Sequence, residues 1–279
     1  MTRLLSAGFA RLMKNKLFWF GSLLLSGFFI FLLLHNFREM KQYPDYIQYN
    51  SDSLLFAPFQ IIGLFVSCFT GMFLGTEYSD GTLRNKLIAG RSRIQVYLSN
   101  LILSFAASLF ACLLSILLNC VLGIALFGPL EQSLSQILLH LVLGILMLAA
   151  FAGIFTLIAM LVHSKSAGSV ICIFLFFLML FAATYIISCL DQPEFIPTGY
   201  SLVIDGVLQP KEQMANPYYL QGIKRDIFEF FRDLLPTSQG SMLMAWMVAR
   251  PLVQAVCSLG LLILTTISGT YHFNRKDLK

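Results

Sequence analysis

The 279-residue chain is 57% apolar and 12% charged, carries 26 phenylalanines and has a mean hydropathy of +0.77, values that exclude an ordinary soluble domain. Its net charge of +5 calls for no nucleic-acid partner, because the Lys and Arg residues flank long apolar runs as topology-setting residues do.

Residues 1–16 place Arg3, Arg11, Lys14 and Lys16 opposite Leu5, Phe9, Leu12 and Met13, which predicts a basic amphipathic helix lying in the membrane interface. The first span is 17–34. It is longer than the apolar core of a signal peptide, and His35-Asn36-Phe37-Arg38 offers no small-residue cleavage site. Further spans are expected at 54–76, 94–127, 134–162, 167–190 and 252–271, each long enough for a ~30 Å hydrocarbon core. Pro58 fits the first turn of the second span, and Gly128-Pro129 stops the third. The expected fold class is an all-α integral membrane protein with six transmembrane helices, forming one domain over 1–279.

Between the second and third spans lies a polar, charged segment, 77–93. Ser79 or Asp80 can cap a short helix over 82–88, and Gly90 suits its left-handed end. Seven residues at ~1.5 Å each reach only about 10 Å, so this helix lies on a surface. Leu83 and Leu87 form an apolar i,i+4 pair on it, and Ser92-Arg93-Ile94-Gln95 reads as a capping box opening the third span. Just before the segment, Gly63, Ser67, Gly71 and Gly75 recur every fourth residue. This small-residue stripe allows close helix packing, either within the chain or between subunits.

With a cytoplasmic amino terminus, most of the 19 Lys and Arg residues face the cytoplasm: Arg3, Arg11, Lys14, Lys16, Arg84, Lys86, Arg91, Arg93, Lys165, Arg275, Lys276 and Lys279. Both termini and 77–93 are then cytoplasmic, and 191–250 is extracellular. That outer region is punctuated by Pro193, Pro197, Pro210, Pro217 and Pro236. Asp205-Gly206 is expected to turn a hairpin, and Asn216-Pro217 to start an amphipathic helix with Leu220, Ile223, Ile227, Phe230, Phe231 and Leu234 on one face. The apolar stretch 241–249 is either a separate interfacial piece or a Pro251-kinked start of the sixth span.

Chemical signatures are sparse. Gly75-Thr-Glu-Tyr-Ser-Asp-Gly81-Thr82 has neither the glycine spacing nor the lysine of a nucleotide-binding P-loop. His35, His140, His163 and His272 are scattered, and no metal-ligand or nucleophile spacing occurs. All six cysteines lie in apolar runs, where they behave as small hydrophobes. The span interiors hold no Asp, Glu, Lys or Arg to serve an ion-coupled carrier.

The order of parts, together with Glu77-Tyr-Ser-Asp-Gly81-Thr82-Leu83-Arg84, Leu87 and Gly90-Arg-Ser-Arg93, resembles the membrane subunit of ABC-2 type ATP-binding cassette exporters and their coupling-helix motif. The ending Phe273-Asn-Arg275-Lys276-Asp277-Leu278 is also similar. Asn216 through Pro236 resembles the outer region of small bacterial permeases, including those for antimicrobial-peptide export or self-immunity. The resemblance implies a permease with no catalytic site or cofactor of its own, paired with an identical or related permease in the lipid of the cell membrane. A separate ABC ATPase would bind ATP and magnesium. Glu77 and Arg84 would be polar contacts to that ATPase, Thr82, Leu83 and Leu87 would seat the helix on it, and Gly81 would permit a tight approach. The cargo would be amphipathic or hydrophobic, such as a peptide or lipid-like molecule. A membrane scaffold that recruits a cytoplasmic partner without transporting anything is the alternative.

Overall fold

In the computed structural model, residues 1–162, 164–198, 203–204, 207–208 and 212–276 are described. Ten helices and two small strand pairs are found among them, and six helices are long and apolar enough to cross a membrane.

Helix α1 (Thr2–Met13) buries Leu4, Gly8 and Leu12, one residue per turn, against α5 (Arg93–Phe127). The approach is close at Gly8, where a Cβ would come within 2.3 Å of the Leu103 side chain and displace it. Of the expected apolar face, Leu12 is buried, while Phe9 and Met13 are exposed. Asn15 then caps α2 (Lys16–Gln42) by accepting from the Phe18 amide at 3.1 Å. Helix α2 runs beyond the expected end at residue 34, over a polar extension where His35 lies 3.5 Å from Glu39.

Helix α3 (Pro58–Ser79) is the central element, packed on α5, α6 (Leu134–Leu161), α7 (Lys165–Leu190) and α9 (Pro236–Met244). Its small residues determine how closely α7 approaches. A Cβ at Gly71 would sit 2.7 Å from Ser169 Cα, one at Gly75 2.8 Å from Lys165 Cα, and Gly63 faces Phe176 and Phe151. Ser67 is buried and donates to the Leu64 carbonyl. The stripe therefore serves packing inside this chain.

Serine caps open three of the long helices: Ser92 for α5, Ser133 for α6 and Ser164 for α7. Helix α5 is about 52 Å long at 1.5 Å per residue. It stops at Gly128, which adopts φ 97°.

On the opposite face from the termini, β1 (Phe195–Thr198) pairs antiparallel with β4 (Glu212–Ala215), and β2 (Val203–Ile204) with β3 (Val207–Leu208). The expected turn residues Asp205 and Gly206 lie outside the described residues. The amphipathic helix α8 (Gly222–Leu234) starts later than Asn216-Pro217. Asn216 is used otherwise: its Oδ1 accepts from the Tyr218 amide at 3.0 Å and its Nδ2 donates to the Pro193 carbonyl at 2.9 Å. These bonds favour a turn over a helical cap. Ile223, Ile227, Phe230 and Phe231 of α8 face outward.

The stretch 241–249 is split by the structure. Helix α9 ends at Met244, Trp246 takes a left-handed φ of 58°, and the last span, α10 (Pro251–Arg275), starts at Pro251. Trp246 is held from several sides: its Nε1 donates to the Asp52 carbonyl at 3.1 Å, and its ring lies 4.5 Å from His140 and 4.9 Å from Phe56. Contacts on that scale can hold a residue in a conformation that costs about 1–3 kcal/mol.

Candidate coupling site

The end of the bundle that carries both termini is organised by one carboxylate. Glu77, in the last turn of α3, is only 1% exposed. A lone buried charge costs several kcal/mol unless its oxygens are matched by donors, and Glu77 has three partners from three other helices. Arg11 of α1 approaches Oε1 at 2.7 Å, and Lys86 of α4 (Thr82–Ile88) approaches the same oxygen at 2.5 Å. Asn100 of α5 donates to Oε2 at 2.9 Å. Arg11 also donates to the Phe73 carbonyl at 3.2 Å and lies 3.9 Å over the Phe73 ring. That combines a charge-assisted hydrogen bond with a cation–π contact.

Helix α4 leaves α3 through Gly81, which sits at φ 64° and occupies the cap position expected for Ser79 or Asp80. A reversal within two residues demands the left-handed backbone that glycine adopts at little cost, and no side-chain cap is used. Thr82 Oγ1 donates back to the Glu77 carbonyl at 3.3 Å. Gly90, at φ 79°, closes the far end, with its amide and that of Arg91 bonded to the carbonyls of Leu87 and Lys86.

The two faces of α4 divide sharply. Leu83 is 2% exposed within the core, and Leu87 packs against it. Arg84, Asn85 and Ile88 face outward, with Ile88 74% exposed. Glu77, Leu83 and Leu87 thus bind α4 to its own bundle. A leucine pair on a short helix next to a bundle gains more by entering that core than by staying in water. Arg84 remains on the outward face. Ile88, which sequence reasoning passed over, is the apolar residue presented there.

A second set of contacts ties the last span to this node. Arg93, at the start of α5, donates to the carbonyls of Phe273, Asn274 and Lys276 at the end of α10. Lys276 donates to the Met160 and Leu161 carbonyls at 3.0 and 2.9 Å and to the Tyr78 hydroxyl at 3.1 Å, with its ammonium 4.5 Å over the Tyr78 ring. Tyr78 in turn donates to the Met160 carbonyl. Burial lowers the Lys276 ammonium from 10.5 to about 8. Residues 277–278 of the C-terminal motif lie outside the described residues.

Among these partners, the sequence reading gave Arg11 and Lys86 only a role in topology, quoted Tyr78 and Lys276 within motifs without assigning them contacts, and passed over Asn100. The available signal was weak: a carboxylate closing a small-residue stripe, with a lysine nine positions on. Taken together, Glu77 joins α4 to α1, α3 and α5, while Tyr78 and Lys276 engage α6 and α10. Among the described residues no cluster of His, Cys, Asp and Glu is arranged to hold a metal ion.

In comparisons with known sequences, the family described as ABC-2 family transporter protein matches residues 4–188. No curated protein matches the chain.

Proposed function

Because the chain belongs to the ABC-2 family of transporter proteins, a family of membrane transport subunits, we propose that it is the permease of an ATP-driven exporter, powered by a separate ABC ATPase that docks on α4. The carrying observation is the two-sided α4: Arg84, Asn85 and Ile88 outward, Glu77 and Leu83 locked inward. A helix that only connected two spans would not need a buried ion pair beneath it. On this reading Ile88 and Arg84 meet the ATPase, and Gly81 lets the helix turn tightly against the membrane face. ATP and magnesium are bound by the ATPase. Closure of the ATPase around nucleotide pushes α4, and Glu77 transmits the displacement to α1, α3 and α5.

The basic residues orient the molecule in the cell membrane with α4 and both termini in the cytoplasm. Two permeases, identical or related, pair with two ATPases. The cargo is amphipathic or hydrophobic, in keeping with apolar spans whose few buried charges lie at the bundle ends.

The test is a mild-detergent pull-down from the native membrane, read by mass spectrometry. An ABC ATPase should co-purify with the parent chain and be lost with Ile88→Asp plus Arg84→Glu, while the permease itself keeps its thermal stability. An unrelated cytoplasmic partner in place of the ATPase would turn the reading to a recruiting scaffold. Orientation is tested separately: Asp226→Cys should react with an impermeant thiol reagent in intact cells, and labelling only after lysis would reverse the topology.

A further inference from the structure

Where α7 ends, on the face away from α4, a cavity of about 450 Å³ opens between α7, the 217–221 segment and α8, within the size range of small-molecule sites. Its wall is ordered by bonds across the gap: Asn216 Nδ2 donates to Gln192 Oε1 at 3.3 Å and to the Pro193 carbonyl, while Asn216 Oδ1 holds the Tyr218 amide. The lining is chemically mixed. Tyr185, Tyr218, Tyr219 and Phe228 supply rings, Gln192 an amide and Lys224 a cation. Neighbouring Arg225 is occupied by Glu229 at 3.2 Å and by the Tyr219 ring at 5.4 Å. Lys224 has no carboxylate partner among the described residues.

Below the cavity, Phe174, Leu178, Phe181 and Tyr185 recur at helical spacing along α7, each more than half exposed. This apolar stripe runs lengthwise into the cavity through Tyr185, which belongs to both. A polar, cationic and aromatic cup at the top of an apolar stripe has the outline of an amphiphile held upright.

We propose that this cavity binds the headgroup of a zwitterionic phospholipid, with the phosphate on Lys224, the ammonium over the tyrosine rings and one acyl chain along Phe181, Leu178 and Phe174. Each part has its own chemistry. The Lys224 ammonium offers three donors to phosphate oxygens. The negative faces of the tyrosine rings attract a cation, and the apolar chain covers ring surface that water would otherwise meet. A purely anionic lipid satisfies the first and third parts and lacks the second. Binding requires neither ATPase nor transport, so it stands apart from the reading of α4.

The test is competition of phosphatidylethanolamine and phosphatidylglycerol of identical chains for the full-length protein, with retained lipid counted by native mass spectrometry. The parent chain should retain phosphatidylethanolamine about two- to fivefold over phosphatidylglycerol, the ratio that an exposed cation–π contact supports. Lys224→Gln should lower retention of both lipids. Tyr185→Leu plus Tyr218→Ser, at two outward-facing positions, should leave thermal stability unchanged and abolish the preference. A phosphatidylethanolamine bearing a photoreactive headgroup should crosslink within 185–192 or 217–228. Equal retention by the parent chain, a preference that survives the double substitution, or crosslinks confined to other segments would overturn the proposal.

Discussion

Arg11 and Glu77 meet at 2.7 Å, with the Arg11 guanidinium also lying over the Phe73 ring one turn up α3. The contact joins the first helix of the chain to the residue that anchors α4. An interfacial helix held only by its apolar face could slide along the bundle. One held also by a buried ion pair keeps a fixed register against α3.

Glu77→Ala removes the acceptor and leaves Arg11, Lys86 and Asn100 facing one another. Breaking a buried ion pair from one side costs about 3–5 kcal/mol, and the detergent-solubilised protein should unfold at clearly lower denaturant or temperature. Arg11→Ala should cost less, since Lys86 and Asn100 still satisfy the carboxylate. Equal losses from the two substitutions would show that Glu77 is not the centre of the node.

Leu83 and Ile88 sit on the same short helix with opposite surroundings, 2% and 74% exposed. Leu83→Asp forces a charge into the core and should lower thermal stability, because an unpaired buried carboxylate is strongly unfavourable. Ile88→Asp should leave stability within ~0.5 kcal/mol, as exposed substitutions do. If the two lose stability alike, α4 is buried on both faces in the native assembly.

The spans were legible because length and hydropathy alone separate about 20 apolar residues from anything soluble, and the Ser92 cap marks where α5 begins. Helix α9 was not legible. Thr237, Ser238 and Gln239 are a polar run, yet all three are buried, with Thr237 donating to the Met179 carbonyl, Gln239 to that of Asp233, and Ser258 donating to Gln239. Nothing in a polar tripeptide reveals that tertiary partners will satisfy it. The same holds at the candidate site: the Leu83 and Leu87 pair announces an amphipathic helix, but periodicity does not say whether the apolar face meets its own bundle or another protein. Arg11 and Asn100 join Glu77 only through the packing of α1 and α5, which no local pattern encodes.

The contrast between Gly71 and Gly27 isolates the contribution of the small-residue stripe. A Cβ at Gly71 would lie 2.7 Å from the Ser169 backbone, whereas one at Gly27 meets nothing within 4 Å. Gly71→Ala should therefore push α3 from α7 and cost about 1–3 kcal/mol, the usual range for overpacking. Gly27→Ala should be neutral or slightly stabilising, since alanine is the better helix former. Thermal unfolding of the two variants side by side checks this, and an undisturbed Gly71→Ala would mean that α7 can retreat freely.

Lys276 gives the node a pH dependence with a definite sign. Its folded value, lowered by burial to about 8, lies below its ordinary 10.5, so between those limits the unfolded chain binds more protons than the folded one. Stability from this group must then rise with pH through that window, the reverse of what a lysine stabilised in its charged form would show. The neutral amine still has the Tyr78 hydroxyl beside it, so the contact survives deprotonation as a hydrogen bond. Unfolding temperatures of the parent chain and Lys276→Met, compared between pH 7 and 10, should differ in slope, with the parent chain gaining relative to the variant as pH increases. Parallel curves would mean that the Lys276 ammonium is as well solvated at the end of α10 as in the unfolded chain, and its contacts with Met160 and Leu161 would then contribute little to holding the last span against α6.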